Sequence, residues 1–181
     1  MMNLPALPPW DSLHPLVIHF PIALLLVAPL FLIAGALLAP ERGRPYLVTA
    51  LVLMGLGTAG TWMAVATGKA AVEVTGQGAV VDTVIEHHEE LAKTTRSVFT
   101  ALTLVFATIL ILPTFIGHDR ARLFSTTLPL LFLLAYGAGS ILLANTASQG
   151  GKLVHELGVS AAVEPAVTAS SSARPSTASA N

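Results

Sequence analysis

Four long apolar segments, separated by short polar connections, constrain this chain more than any other feature. They cover approximately residues 17–39, 46–71, 97–117 and 123–145. A helix rises 1.5 Å per residue, so about 20 apolar residues cross the roughly 30 Å hydrocarbon layer of a membrane. Backbone amides find no water within that layer, and each segment is therefore predicted to be a transmembrane α-helix.

The connections predict how these helices are arranged. The links at about 40–45 and 118–122 are short, so sequential helices are expected to be antiparallel neighbours. We therefore predict an all-α fold, an integral membrane four-helix bundle with up-down-up-down topology over residues 1–160. Residues 161–181 are mostly Ala, Ser, Thr, Pro and Val, which predicts a disordered tail because so little apolar surface can be buried.

Composition excludes several classes of protein and site. Charged residues make up 10% of the chain, far below the roughly one quarter found in soluble domains. The absence of cysteine excludes disulfides, iron–sulfur clusters, thiolate zinc sites and covalently attached haem. A net charge of −1 without a basic run argues against nucleic acid as a partner. The partner that the sequence does predict is the lipid membrane.

Charges around the first segment predict the orientation. No Lys or Arg precedes it, whereas Arg42 and Arg44 follow it. Cytoplasmic loops are enriched in Lys and Arg, and the first helix usually sets the orientation. Both ends of the chain are therefore expected outside, which in a bacterial inner membrane means the periplasm. The flank also lacks the positive region of a secretory signal, so the first helix should be retained.

Histidines are distributed unevenly between the two sides of the membrane. With four spans, the N-terminal segment, the middle loop and the C-terminal segment share one side. Five of the six histidines lie in or beside these segments, and only His118 is expected opposite. The five are His14, His19, His87, His88 and His155. Histidines gathered at one end of a helical bundle predict a metal or haem site there.

Two of these positions are the strongest candidates. His19 is expected at the headgroup boundary, where an ionisable side chain is a candidate functional group, although an interfacial histidine without function is the alternative. Residues 82–96 predict an amphipathic lead-in to the third span, with Asp82 as its N-cap. The inward stripe of that helix contains His88, with His87 beside it.

Two other groups are weaker candidates. Glu89 is expected to pair with Lys93 on the wet face of the lead-in helix, although it or Glu90 could instead orient an imidazole that binds metal. His155 follows a Gly-Gly pair that is expected to end or turn the fourth span. It could cap the same cavity, and the alternative is a solvent-exposed histidine.

Small residues on the second segment predict close helix packing. Gly60, Ala64 and Gly68 recur at four-residue spacing, and Gly57 lies one ridge away. Such faces let membrane helices approach closely. The same clearance would also admit a flat macrocycle between helices, although packing is the favoured interpretation.

Several short runs resemble the landmarks of one family of membrane proteins. These are LHPLVIHFPIAL at 13–24, Thr-Gly at 67–68, HEEL at 88–91 and Gly-Gly at 150–151. Together they resemble a bacterial family known as domain of unknown function 2231, over about residues 13–160. Where this chain has His155 the family often has Tyr. The resemblance implies a four-helix inner-membrane protein and supplies no reaction.

The leading functional hypothesis is a non-covalent haem b that transfers electrons. His19 and His88 would be its axial ligands, with His14 and His87 as secondary candidates. Bis-imidazole ligation in a bundle needs two opposed histidines and small residues that admit the ring. A six-coordinate iron exchanges electrons with a redox partner protein rather than making bonds, so an enzyme is not expected.

Two alternatives remain open at this stage. His14, His19 and His88, with Glu89 or more weakly His155, could bind Zn²⁺, Cu²⁺ or Fe²⁺, because imidazole suits all three. The third possibility is a structural accessory subunit without a cofactor, whose polar end docks another membrane protein.

The orientation is tested by reporter fusions. A reporter that is active only in the cytoplasm should give no signal when it is fused to the C-terminus, because both ends are predicted outside. The same reporter placed in the 40–45 link should be active and serves as the control. A strong C-terminal signal with a silent link would reverse the orientation, while the histidines would still share one side.

Overall fold

Four long helices make up most of the part of the chain that the structure describes. In the computed structural model, the described residues are 10–73, 78–116 and 122–159, and no strand occurs among them. The helices are α1 (His14–Leu37), α2 (Pro40–Glu73), α3 (Ala79–Ile111) and α4 (Leu128–His155). A single helical turn, Pro113–Ile116, follows α3, and a π-helical segment, Leu123–Thr127, leads into α4.

The predicted all-α membrane bundle is confirmed. Each of the four helices has the length and hydropathy of a membrane span. In cross-section α1 packs against α2 and α4, and α3 packs against the same two helices, so α1 and α3 lie diagonally opposite. The expected tail at 161–181 and the opposite-side His118 lie outside the described residues.

The small-residue face of α2 packs against α1. Only residues 38–39 separate the two helices, so they form an antiparallel hairpin. A Cβ on Gly57 would come within 2.7 Å of Leu25 Cγ, and one on Gly60 within 3.0 Å of Pro21 Cβ. Side chains larger than glycine would therefore separate the two helices.

Aromatic side chains join α3 to α4 in the core. Phe106 stacks on Phe132 with ring centroids 4.9 Å apart, and Phe99 meets the Tyr136 ring edge-on at 5.5 Å. Both arrangements follow the preferred geometries of aromatic pairs. Leu25, Leu32 and Met54 belong to the same buried cluster, which therefore spans all four helices. The core lies along the middle of the bundle and leaves one end open.

One interhelical hydrogen bond replaces a backbone hydrogen bond that a proline removes from α1. Pro29 lacks the amide hydrogen that would otherwise bind the Leu25 carbonyl. The hydroxyl of Tyr136 on α4 donates to that carbonyl at 2.7 Å, and Tyr136 is only 1% exposed. A carbonyl left without a hydrogen bond at this depth would destabilise the fold by roughly several kcal/mol. The Tyr136 hydroxyl therefore replaces the hydrogen bond that Pro29 removes.

Threonine pairs connect the other helices. The Thr58 and Thr103 hydroxyls lie 2.8 Å apart and join α2 to α3, while those of Thr95 and Thr146 lie 2.7 Å apart and join α3 to α4. Hydroxyl hydrogen bonds of this kind hold helices together where lipid offers no alternative partner.

The start of α3 differs from the sequence-based prediction. The lead-in at 82–96 and the third span form one continuous helix, which begins after Gly78. Asp82 is therefore not the N-cap. It lies in the first turn, where a carboxylate still interacts favourably with the positive end of the helix dipole.

The end of α4 differs as well. The helix does not end or turn at Gly150 and Gly151 but continues to His155. The chain reverses at Gly158, whose φ of 66° lies in the left-handed region that favours glycine. After this turn the Val159 amide donates to the Leu153 carbonyl at 2.9 Å. Of the glycine pair, Gly150 packs against the His88 ring of α3, whereas no described atom lies within 4 Å of a Cβ on Gly151.

Replacing Tyr136 by Phe tests the repair of α1. The Leu25 carbonyl would lose its partner, so the free energy of unfolding in mixed micelles should fall by about 1–3 kcal/mol. Tyr46, the other tyrosine of the chain, is half exposed, and Tyr46→Phe should change stability by less than about 0.5 kcal/mol. Equal effects of the two substitutions would mean that the hydrogen bond contributes nothing.

Candidate histidine cavity

A cavity of about 490 Å³ opens at the end of the bundle where α2 and α4 end. Its volume falls within the roughly 300–1,000 Å³ of small-molecule and cofactor sites. All four helices line it, mostly with aliphatic side chains such as Ile18, Val65, Ile85 and Leu143. The imidazoles of His14 and His88 line this mostly apolar space, and both are half-buried.

The first imidazole is held by α2. A Cβ on Gly68 would lie 3.0 Å from the His14 ring, so the missing side chain lets the ring lie against α2. The ring is also close to the Ala64 carbonyl. His14 Nδ1 lies 3.2 Å from Thr67 Oγ1, whose own hydrogen points to the Met63 and Ala64 carbonyls at 3.0 and 3.2 Å. The hydroxyl oxygen must then accept from Nδ1–H, which leaves the lone pair on Nε2.

The second imidazole is held by α4 in a similar way. A Cβ on Gly150 would lie 3.0 Å from the His88 ring. The nearby backbone carbonyl belongs to Thr146, four residues before that glycine, just as Ala64 precedes Gly68 by four. Among the described residues, His88 Nδ1 is buried without a hydrogen bond of good geometry. Each histidine thus lies over a glycine and beside the carbonyl of the preceding turn.

The two His–Gly pairs lie at one level of the bundle. Glu89, next to His88, approaches Lys69, next to Gly68, with 3.9 Å between carboxylate and ammonium. Both rings line the same cavity. Because α1 and α3 lie diagonally opposite in the bundle, the two imidazoles approach the cavity from opposite sides.

The other predicted histidines are more exposed. His19 also lines the cavity but is exposed, and its Nδ1–H donates to the Pro15 carbonyl at 2.8 Å. His155 lies on the rim and is exposed. His87 is exposed and is not among the described residues that line the cavity.

The carboxylate of Glu89 is directed to lysines. Its Oε1 lies 2.7 Å from Lys93 Nζ, which is the i,i+4 pair expected from the sequence. It lines the cavity, yet its closest described partners are cationic. Within the described ranges no three or more His, Asp or Glu side chains are grouped as a metal site. Among the histidines that line the cavity, His14 and His88 are half-buried.

Sequence reasoning missed the glycines that hold the imidazoles. It placed His19 ahead of His14 and treated Gly68 as one member of a packing face. The Thr-Gly pair at 67–68 was a visible signal, but no spacing rule shows which histidine of another helix it meets. For His88, the corresponding partner Gly150 lies on a helix that was expected to end there.

Comparison with known families supports the membrane assignment. A family model described as a predicted membrane protein, DUF2231, matches residues 11–163. The chain belongs to the DUF2231 family. The resemblance seen in the sequence is thereby confirmed, and both His–Gly pairs lie within the matched DUF2231 region. No curated protein and no solved structure matches the chain. The DUF2231 description gives a membrane location and no reaction.

Adjacent glycines of α4 provide a matched test of the imidazole contact. Gly151→Ala should raise the free energy of unfolding by up to about 1 kcal/mol, because alanine favours the helix and no described atom lies within 4 Å of the new Cβ. Gly150→Ala should lose that gain or destabilise the protein, because its Cβ meets the His88 ring at 3.0 Å. Equal stabilisation by both substitutions, measured by unfolding in mixed micelles, would show that the ring does not depend on Gly150.

Proposed function

We propose that this protein binds haem b without a covalent bond in the histidine cavity and transfers electrons. His14 and His88 would be the axial ligands. The observation that carries the proposal is the pair of opposed imidazoles at one level, each held against a glycine of the neighbouring helix.

The number of protein ligands favours haem over a bare metal ion. A porphyrin already supplies four nitrogens, so two imidazoles complete the coordination of its iron. A divalent ion such as Zn²⁺ needs three or four ligands from the protein. The described residues place two half-buried imidazoles at one level without a grouped third ligand.

The surroundings of each imidazole suit a metal ligand. A ligating histidine usually donates its second N–H to a carbonyl, carboxylate or other acceptor, which fixes the ring. His14 does so through Thr67, which leaves the Nε2 lone pair available to a metal. The buried Nδ1 of His88 lacks a partner, and the adjacent Thr146 carbonyl could accept its hydrogen after a small rotation of the ring.

His14 replaces His19 in this proposal. His19 is exposed, and its Nδ1 is bound to the carbonyl of its own helix. The His14 ring is half-buried and held by a neighbouring helix. A ligand pair from two diagonal helices keeps its separation, because both helices are fixed by the core.

Two coordinating imidazoles determine the kind of chemistry. With both histidines holding it, haem would supply electron transfer rather than oxygen activation. The aliphatic lining around the ring would limit access of water, and the exposed end would face a redox partner protein. With both termini outside, this end lies at the periplasmic side of a bacterial inner membrane.

Absorption spectra of histidine variants test the proposal. Protein purified from cells supplied with ample haem should show a Soret band that shifts on reduction with dithionite. His14→Ala and His88→Ala should each abolish or strongly weaken the band, since each removes one axial ligand. His87→Ala, a change at the adjacent exposed histidine, should retain it and is the matched control.

Other outcomes would contradict the proposal in distinct ways. Absence of a Soret band, with a stoichiometric divalent metal that is lost in His14→Ala and His88→Ala, would replace haem by a metal ion. A band that survives in both folded variants would mean that other histidines ligate the haem, and His19→Ala would then be examined. Absence of both haem and metal would favour the structural accessory role.

A further inference from the structure

A second candidate site lies outside the cavity, on the seam between α2 and α3. The Arg96 guanidinium of α3 lies over the Trp62 ring of α2, with its Cζ 4.2 Å from the ring centroid. Such a cation–π contact is strongest where water is scarce. Arg96 is half-buried, whereas Trp62 is 52% exposed on the outer surface of the bundle.

The indole under Arg96 is fixed in place. Its Nε1–H donates to Thr100 Oγ1 at 3.2 Å, and the Thr100 hydroxyl donates in turn to the Arg96 carbonyl at 2.7 Å. One threonine thus ties the ring of α2 to the turn of α3 that carries the arginine. The Trp62 ring and the Arg96 guanidinium are therefore held in place before any ligand binds.

Arg96 has no counter-charge among the described residues. Its Nε is buried without a hydrogen-bond partner, and the described ion pairs join Glu89 to Lys69 and Lys93 instead. Both lysines lie on the same α2–α3 seam. Lys69 and Lys93 share the Glu89 carboxylate, so no described carboxylate is paired with Arg96. The guanidinium therefore lacks a counter-charge among these residues, and an anion from outside the chain would pair with its terminal amino groups.

The depth of Arg96 indicates where that anion comes from. The third apolar run begins at residue 97, immediately after Arg96, and is about long enough to cross the hydrocarbon layer. Arg96 therefore lies at the boundary between hydrocarbon and headgroups, where Trp side chains also concentrate. At this level, on a lipid-facing surface, the abundant anions are phospholipid phosphates.

We propose that the seam formed by Trp62, Lys93 and Arg96 binds the phosphate of an anionic phospholipid. The planar guanidinium of Arg96 would donate to the phosphate oxygens, and Lys93, one turn away, would add charge. The acyl chains would lie along the exposed apolar surface below Trp62. This site does not depend on haem binding.

Fluorescence quenching of Trp62 tests the proposal directly. The chain has two tryptophans, so Trp10→Phe leaves Trp62 as the only indole. This variant would be placed in bilayers that contain brominated phosphatidylglycerol or brominated phosphatidylcholine. Anionic lipid should quench Trp62 preferentially, with a relative binding constant about fivefold higher, since each cation near the surface contributes on the order of a kcal/mol.

Substitutions in the Trp10→Phe protein test whether Arg96 causes the preference for anionic lipid. Arg96→Gln should remove it, and Arg96→Lys should reduce it, because lysine keeps the charge and loses the flat fork. Arg44→Gln removes an exposed arginine at the opposite end of α2 and should leave the preference intact. Each variant would first be checked for an unchanged elution volume and helical circular dichroism.

Three results would overturn the site. Equal quenching by the two brominated lipids in the folded Trp10→Phe protein would show no selectivity, whatever the Arg96 variants do. A preference that persists in Arg96→Gln would place the lipid elsewhere. A preference abolished by millimolar inorganic phosphate would identify a free-phosphate site instead. The presence or absence of a Soret band bears on none of these results.

Discussion

The scarcity of water in the hydrocarbon layer is the constraint on which this structure depends. Each backbone carbonyl that a proline leaves unpaired must find a donor inside the protein. At Pro29 the donor is the Tyr136 hydroxyl, and the 2.7 Å bond to Leu25 ties α4 to α1. Exposed ion pairs such as Lys69–Glu89, at 3.9 Å, contribute at most about 1 kcal/mol. The core hydrogen bonds and aromatic contacts therefore fix the positions of the two His–Gly pairs along the bundle axis. The surface ion pairs contribute little to those positions.

The histidine cavity continues the packing interface of the helices. Along the α1–α2 seam, glycines receive Leu25 and then Pro21, and at the open end Gly68 receives His14. The same absence of a Cβ that allows close packing thus gives an imidazole access to the neighbouring backbone. The α3–α4 hairpin repeats the arrangement with His88 and Gly150. Close helix packing and the positions of the two imidazoles thus depend on the same feature, the missing glycine side chain.

The proposed haem site and the proposed lipid site divide the polar groups of one bundle end. The inward face of α3 carries His88 into the cavity, and its outer seam with α2 carries Lys93 and Arg96. Glu89 lies between them and pairs with lysines, so it neutralises charge on the seam without capturing either imidazole. Imidazole nitrogens in an apolar cavity suit a metal centre, whereas guanidinium and ammonium groups at the headgroup level suit phosphate.

Four apolar runs and short links determined the all-α bundle from the sequence alone, because only helices of that length satisfy their own backbone in lipid. The parity of the spans likewise determined that most histidines share one end. Helix ends were less predictable: Asp82 lies inside α3, and Gly150 packs against His88 instead of ending α4. The tertiary structure alone decided that His14 packs against a glycine of α2, whereas His19 is exposed. That difference depends on which glycine of another helix lies opposite each ring. Residue spacing along the sequence does not specify how one helix is rotated relative to its neighbour.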